Sequence, residues 1–260
     1  MFPGLELGDA RLRVYEAPPC AELQSYIHAA WFMEWDIPTG TGLAAIAVPT
    51  PCVKIGAIRQ SGGELRYEIH GIRAQGGFYR FSGCGQSFGI DFQPGAFHAL
   101  SGLSLMGWQN KRYRVADVFT RFPIAPAESY WTVELAARWF RDVLSLFSKK
   151  VEERQLHFQS ISLVVERLWK GDVIRIPELA RILETSKRSV LRVFQNEVGL
   201  SVRDLMRIVR FQKALKAVSR SNVKGLAEAA ADSGFFDQPH MTREFRALVR
   251  LPPSNFKKFF

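Results

Sequence analysis

Short hydrophobic segments separated by glycine and proline make up the chain from about residue 11 to residue 122. The breaks are rich in turn formers, as in Pro38–Gly42, Ser61–Gly63 and Gln75–Gly77. Short alternating segments between turn signals are typical of strands in a β-sandwich or barrel. The predicted strands are Leu43–Val48, Val53–Ile58, Leu65–Ile69, Phe78–Phe81 and Phe88–Phe92. Before them, Leu23–Trp35 fits either a helix or a first strand.

Beyond Pro126 the hydrophobic spacing becomes that of amphipathic helices. One stripe recurs every four residues, at Trp131, Leu135, Trp139, Val143 and Phe147. A second helix is predicted over Glu153–Trp169 and ends at Gly171. Its apolar side carries Ile161, Val164, Val165 and Leu168. These two helices are predicted to link two domains, and their apolar faces fit core packing at least as well as the pairing of two subunits.

The last third of the chain predicts a helix-turn-helix unit. Pro177 begins a short helix over Glu178–Leu183, and a turn follows. Ser186 is a favourable N-cap for the next helix, and Gly199 suits its left-handed C-terminal cap. The buried stripe of this helix is Val190, Val193 and Phe194, and its outward positions are Lys187, Arg188, Leu191, Arg192 and Gln195. Arginine and glutamine on such a face can reach phosphates or the edges of guanine and adenine in the major groove.

The same pattern returns 51 residues later, where Phe245 aligns with Phe194 and Asp237 with Ser186. The preceding helix, Leu226–Ala231, is followed by a slightly longer turn. The outward positions of the second unit are Gln238, His240, Thr242, Arg243 and Arg246. His240 fits contact with DNA and cover of the helix start equally well. The duplication indicates two DNA-reading helices in one chain.

A helix over Ser201–Val218 is predicted between the two units. Its length of roughly 27 Å approaches the roughly 34 Å that separates successive major-groove openings on one face of DNA. The residues predicted to face the core are Leu205, Val209 and Leu215. Those predicted to point largely outward are Arg203, Arg207, Arg210, Lys213 and Lys216.

Charge is unevenly distributed. The chain has 260 residues and a net charge of +10, of which residues 151–260 contribute +8. A basic excess concentrated in the part of the chain that holds the duplication indicates an anionic partner there. The length favours two domains, each with its own core.

Ordered motifs accompany the duplication. They are Leu179-Ala180, Ser186-Lys187-Arg188, Arg192-Val193-Phe194, Gly199-Leu200-Ser201, Arg210-Phe211, Ala214-Leu215, Gly234-Phe235, Asp237-Gln238, Arg243-Glu244-Phe245 and Pro253. On these motifs the segment Ile174–Lys258 resembles the AraC/XylS family of bacterial transcription regulators. Arg250 departs from the family's usual glycine, and Pro239 stands where a small hydroxyl residue is common. Both departures fall in the second unit, so we expect it to contribute less to base discrimination.

Gly89–Ala96, together with Trp31, is similar to the cupin-like sensor domains joined to one branch of that family. The expected fold is therefore α+β, with a β-rich cupin-like barrel or sandwich, a helical linker and an all-α double helix-turn-helix. The expected boundaries are residues 1–122 for the sensor domain, 123–170 for the linker and 171–260 for the DNA-binding domain.

The resemblance implies a sequence-specific DNA-binding regulator that responds to an effector through its N-terminal domain. Its implied partners are double-stranded promoter DNA, a small-molecule effector, RNA polymerase if it activates, and a second copy of itself. No membrane partner is expected. The alternative is an enzyme with a catalytic cupin-like domain, but the sequence has no nucleotide-binding loop or nucleophile elbow, so the expectation is no enzyme activity.

Cysteine and histidine placement argues against cofactors. Cys20, Cys52 and Cys84 lack CxxC spacing, and His28, His70, His98 and His157 form no HxH or HxxxH pair, so neither a metal site nor another cofactor is expected. Without a signal peptide or a long apolar run, a cytoplasmic location is expected. Lys111–Arg114 fits either an anion-binding site or a solvated loop.

Overall fold

The N-terminal half folds into two antiparallel sheets. The structure is a computed structural model that describes residues 5–7, 10–17, 24–38, 40–123, 132–145, 155–172, 174–219 and 225–256. Its strands are β1 Leu5–Leu7, β2 Ala10–Ala17, β3 Ile27–Ile37, β4 Leu43–Ala47, β5 Lys54–Gln60, β6 Arg66–His70, β7 Gly77–Phe81, β8 Gly83–Phe92 and β9 Arg112–Arg114. Seven strands form one sheet in the order β1-β2-β3-β8-β5-β6-β9, and β4 pairs with β7 in the other.

The helices lie in the second half of the chain, except for two short ones between β8 and the linker. They are α1 Ala96–Ser101, α2 Val115–Val118, α3 Val133–Ser145, α4 Gln155–Lys170, α5 Ile176–Ile182, α6 Lys187–Val193, α7 Val202–Ser219, α8 Leu226–Asp232, α9 Gln238–Val249 and α10 Pro253–Phe256. A π-helical turn over Phe194–Val198 extends α6. The prediction of an α+β fold with a β-rich N-terminal region and a helical C-terminal region is confirmed.

The segment that the sequence left open, Leu23–Trp35, contains β3. This strand pairs with β2 on one edge and with β8 on the other, and such pairing satisfies the backbone on both sides. The ring of Trp31 lies over Gly89 of β8, where an added Cβ would stand 2.6 Å from Trp31 Cζ2. Glycine at this position therefore lets the indole lie flat against the sheet.

The five predicted strands are present, and β8 begins five residues before its predicted start at Phe88. Strands β1, β2 and β9 were missed, and β9 lies in Lys111–Arg114, which had been interpreted as an anion-binding site or a solvated loop. The linker stripe forms α3, where Trp139 and Val143 are buried, whereas Trp131 and Phe147 lie outside the described residues. In α4, Ile161, Val164, Val165 and Leu168 are buried against the rest of the protein. Both linker helices thus pack into the core.

One hydrophobic core runs from the large sheet through α3 and α4 into the first helix-turn-helix unit. Trp139 of α3 packs edge-on against Phe88 of the sheet, with 5.1 Å between ring centroids. Phe194 and Val198 belong to the same core. A separate core lies within the second unit, and Ile46 and Val48 pack against it. The expectation that each domain has its own core is therefore wrong for the first unit, while the residue boundaries of the domains stay a prediction.

Candidate nucleic-acid interface

The first helix-turn-helix unit consists of α5 and α6. Its turn places Glu184 at φ 50°, and Ser186 Oγ accepts a 3.1 Å hydrogen bond from the Ser189 backbone N–H. This N-cap satisfies one of the free amides at the helix start and contributes about 1 kcal/mol. Gly199, at φ 75°, ends the extended helix, as its sequence position predicts. The unit is held together from inside by Leu179, Val190 and Phe194, which are fully buried.

The outward face of α6 is polar and open to solvent. The side chains predicted to meet DNA from this unit are Lys187, Arg188, Arg192 and Gln195, and all four residues are exposed. Arg188 and Arg192 are four residues apart, so they share one face of the helix. Leu191 is also outward, with 48% of its surface exposed. The structure therefore brings the predicted side chains of the first unit onto one accessible surface.

The second unit consists of α8 and α9. Asp237 caps α9 by accepting a 2.6 Å hydrogen bond from the His240 backbone N–H. Pro239 lies in the first turn, where a backbone N–H has no partner within the helix, so proline costs no hydrogen bond there. Arg250 adopts φ 61° at the C-cap, the conformation for which glycine is favoured. The unit is thus capped at both ends, so neither Pro239 nor Arg250 disrupts α9, and the smaller contribution of this unit to base discrimination stays a prediction.

The outward residues of α9 differ in exposure. Gln238, Arg243 and Arg246 are exposed, whereas His240 and Thr242 are half-buried. His240 Nδ1 lies 3.4 Å from the Phe236 backbone N, which is placed to donate to it, and its ring packs edge-on against Phe235. His240 therefore covers the helix start.

Two arginines of α7 were expected to point outward and do not. Arg207 forms an ion pair with Glu244 of α9, and both side chains are partly buried. The Arg210 guanidinium lies over the ring of Phe235, 5.8 Å from its centroid. Arg203 and Lys216 are exposed as predicted, and Lys213 is half-buried. The inward arginines fasten the second unit to α7, because a salt bridge and a cation–π contact both join them to it.

Phe236 is a candidate contact that sequence reasoning missed. It immediately precedes the Asp237 cap, and 93% of its surface is exposed. A large apolar side chain at this exposure does not contribute to folding through burial. The sequence feature that could have pointed to it is the adjacent pair Phe235-Phe236 in the turn, because only one of the two, Phe235, is buried.

The first helix-turn-helix unit touches the sheet domain at the end of its extended helix. The Leu105 N–H donates a 2.7 Å hydrogen bond to the Asn196 carbonyl, and the Gln109 amide donates a 2.9 Å bond to the Gly199 carbonyl. The second unit is held at α9, where the Gly76 N–H donates a 2.7 Å hydrogen bond to the Leu248 carbonyl. The helix between the units, α7, is held through Gln212, which donates to the Pro49 carbonyl at 2.9 Å. The outward faces of α6 and α9 lie away from these contacts.

Two family models match this chain. Residues 179–258 match a helix-turn-helix domain, and residues 15–114 match a domain of unknown function, DUF6597. The C-terminal domain is an AraC-type helix-turn-helix domain. The matched range of this AraC-type domain runs from α5 through α10 and contains both capped helices.

A curated relative also matches part of this chain. An uncharacterized HTH-type transcriptional regulator of Haemophilus influenzae is 29% identical over 83 residues, which are 32% of this chain and 28% of that protein. This chain thus spans less than a third of the relative's length.

Several solved structures are also similar to this chain. A probable AraC family transcriptional regulator from Rhodopseudomonas palustris is 24% identical over 39% of this chain and 96% of its own, with a TM-score of 0.35. ToxT from Vibrio cholerae is 11% identical over 96% of this chain and 98% of its own, with a TM-score of 0.45.

The ionisable residues of the sheet domain make local contacts. His70 Nε2 lies 2.9 Å from Glu68 Oε2, and His98 Nδ1 lies 2.8 Å from the Leu103 carbonyl oxygen. Within the described ranges, no group of three or more His, Cys, Asp or Glu side chains is arranged to hold a metal ion. The described helices include none with the length and apolar character needed to cross a membrane.

Proposed function

We propose that this chain is a sequence-specific regulator of transcription that binds double-stranded promoter DNA through α6 and α9. One observation carries the proposal. In each helix-turn-helix unit, a capped helix buries one face in the core and exposes an opposite face that carries arginine and glutamine. Such a helix fits the major groove, where those side chains hydrogen-bond guanine and adenine.

Within this function, base edges are assigned to Arg188, Arg192, Gln195, Gln238 and Arg243. Lys187 and Arg246, which are also exposed, are assigned to phosphates or base edges. Thr242 and His240 are half-buried, so they contribute only where the groove comes close to the helix start. The 18-residue helix α7 separates the two units and sets their spacing along one face of the duplex.

The sheet domain is assigned the role of an effector-responsive regulator without enzyme activity. Support comes from its direct contacts with both DNA-binding units, through Leu105 and Gln109 to the first and through Gly76 to the second. A ligand that shifts these contacts would change how the two units present α6 and α9. A cytoplasmic location, a homodimer and contact with RNA polymerase in the case of activation belong to the same proposal.

The test is selection of binding sites from random duplex DNA by the full chain, because the first unit shares its core with the sheet domain. A specific sequence should be enriched, and its affinity should fall steeply between about 50 and 200 mM salt as lysine and arginine release condensed counterions. The variant Lys170→Ala, at an exposed position of α4 outside α6 and α9, is the control and should enrich the same sequence as wild type. Failure of any duplex to be enriched would contradict the proposal.

A further inference from the structure

A row of polar side chains crosses the large sheet. Asp91 of β8, Lys54 of β5, His70 of β6 and Arg112 of β9 are successive cross-strand partners. Partners directly opposite one another project from the same face of a sheet. The row therefore places four ionisable groups side by side on one face.

The second sheet reaches this row through Tyr79 of β7. Its hydroxyl oxygen accepts a 2.7 Å hydrogen bond from Arg112 and another from Arg73, which lies in the connection between β6 and β7. Both guanidinium groups also lie 5.3 Å from the centroid of the Tyr79 ring. A tyrosine hydroxyl has two acceptor lone pairs, so it can accept from both arginines at once and hold their guanidinium groups side by side.

The charges along the row are unevenly compensated. Lys54 pairs with Asp91, and His70 lies against Glu68. The hydrogen bond from His70 lowers the pKa of the Glu68 carboxyl, and Arg112 lowers it further. Glu68 therefore stays ionised and offsets part of the Arg112 charge. Arg73 and Lys111 add two more positive charges beside Arg112.

Arg73, Lys111 and Arg112 line a cavity of about 250 Å³, and the His70 side chain is also part of its lining. No Asp or Glu is among its lining residues. Like charges held close together repel each other, and an anion between them removes that repulsion. Guanidinium groups offer donors in the planar geometry that matches carboxylate and phosphate oxygens.

We propose that this cavity binds the carboxylate or phosphate group of a small organic anion. Arg73 and Arg112 hold the oxygens, Lys111 adds a third positive charge to the lining, and Tyr79, outside the cavity, positions the two guanidinium groups by accepting a hydrogen bond from each. Cavities for drug-sized ligands measure about 300–1,000 Å³, so this volume suits a small metabolite.

The cavity wall continues into both DNA-binding units. The N–H of Gly76, a lining residue, donates a 2.7 Å hydrogen bond to the Leu248 carbonyl at the end of α9. Ile72, one residue before Arg73, packs against Gly199 at the end of the first unit. Occupation of the site is therefore coupled to the placement of α6 and α9, a consequence that rests on the proposed function, whereas anion binding itself does not.

The site is tested on the full wild-type chain without DNA, by modifying arginines with phenylglyoxal in the presence of inorganic phosphate at constant ionic strength. Mass spectrometry should show saturable protection of Arg73 and Arg112, with at least a fivefold slower modification. Arg80, exposed and adjacent to Tyr79 in β7, is the internal control and should be modified at an unchanged rate. Equal protection of all three arginines, or of none, would overturn the proposal.

A second protection experiment distinguishes binding of a free anion in the cavity from contact of the cavity with the DNA backbone. Duplex DNA in place of phosphate should protect Arg188 and Arg192 but not Arg73 and Arg112. Protection of all four by DNA, with none by phosphate, would assign the basic cavity to the DNA backbone and overturn the proposal.

In thermal unfolding, phosphate should raise the midpoint of wild type and Arg80→Gln but not of Arg112→Gln, because a ligand stabilises the folded state only where it binds to it. An equal rise in all three would also overturn the proposal.

Discussion

The backbone N–H of Gly76, between two strands of the sheet domain, donates a 2.7 Å hydrogen bond to the carbonyl oxygen of Leu248 in the last turn of α9. The two residues are far apart in the sequence and belong to the two functional halves of the chain. At Gly76 the sheet domain thus touches the helix proposed to bind DNA in the second unit.

Gly76→Ala should disrupt this contact. An added Cβ would stand 2.6 Å from Val249 Cγ1 and 3.0 Å from the Ala47 carbonyl oxygen, so backbone or side chains must move. We expect a loss of stability of about 1–3 kcal/mol, typical of overpacking. Calorimetry measures it, and hydrogen exchange should increase around residues 245–250. Gly225→Ala is the control because no atom lies within 4 Å of its added Cβ. An equal loss of stability in the two variants would contradict a stabilising role of the contact at Gly76.

Arg192→Ala should change base preference at particular operator positions and weaken operator binding by about 1–3 kcal/mol, since Arg192 is assigned to a base edge. Arg243→Ala should do the same at positions read by α9, with the smaller effect that the sequence predicts for the second unit. Selected sites are compared position by position. If Arg192→Ala weakened operator and random DNA equally, Arg192 would be a phosphate contact. Lys170→Ala should bind as wild type.

Phe236→Ser should leave stability within about 0.5 kcal/mol of wild type, because the side chain is 93% exposed. Operator affinity should fall several-fold, since this phenylalanine precedes the α9 cap and can contact a thymine methyl or a sugar. Phe78→Ser is the matched control, at an exposed phenylalanine of β7 that belongs to neither α6 nor α9. Unchanged affinity of the Phe236 variant, measured by fluorescence anisotropy, would remove this residue from the interface.

Cys52 and Cys84 should react very differently with iodoacetamide at pH 8. Burial, followed by the negative charge of Asp91, raises the pKa of the Cys52 thiol from about 9 to about 12. Cys84 is exposed. Because the thiolate is the reactive form, the native protein should be labelled at Cys84 and not at Cys52, and urea should expose Cys52. Peptide mass spectrometry gives the ratio, and rapid labelling of native Cys52 would contradict its burial.

The same shift has a consequence for stability. The pKa of Cys52 is higher in the folded state than in the unfolded chain. The contribution of this thiol to the free energy of unfolding is therefore complete below about pH 9 and is lost as pH rises toward 12. Urea midpoints of wild type and Cys52→Ala should therefore converge across that range.

Local interactions determined much of what the sequence predicts correctly. Ser186 caps a helix through a hydrogen bond to Ser189, three residues away, and Gly199 ends that helix through its own backbone conformation. The periodic burial of Val190 and Phe194 follows from helical geometry. These features depend on neighbours within a few residues, so their pattern is visible in the chain.

Tertiary structure alone decided the rest, because the deciding partners are distant in sequence. β3 is a strand because β2 and β8 flank it. Arg207 turns inward because Glu244 of α9 lies within reach to pair with it. Arg73, Tyr79 and Arg112 meet because the connection from β6, the second sheet and β9 converge at one place. The pattern of apolar and polar residues along the chain predicts which face of a helix or strand is buried. Which residue a side chain contacts depends on how the helices and strands pack together.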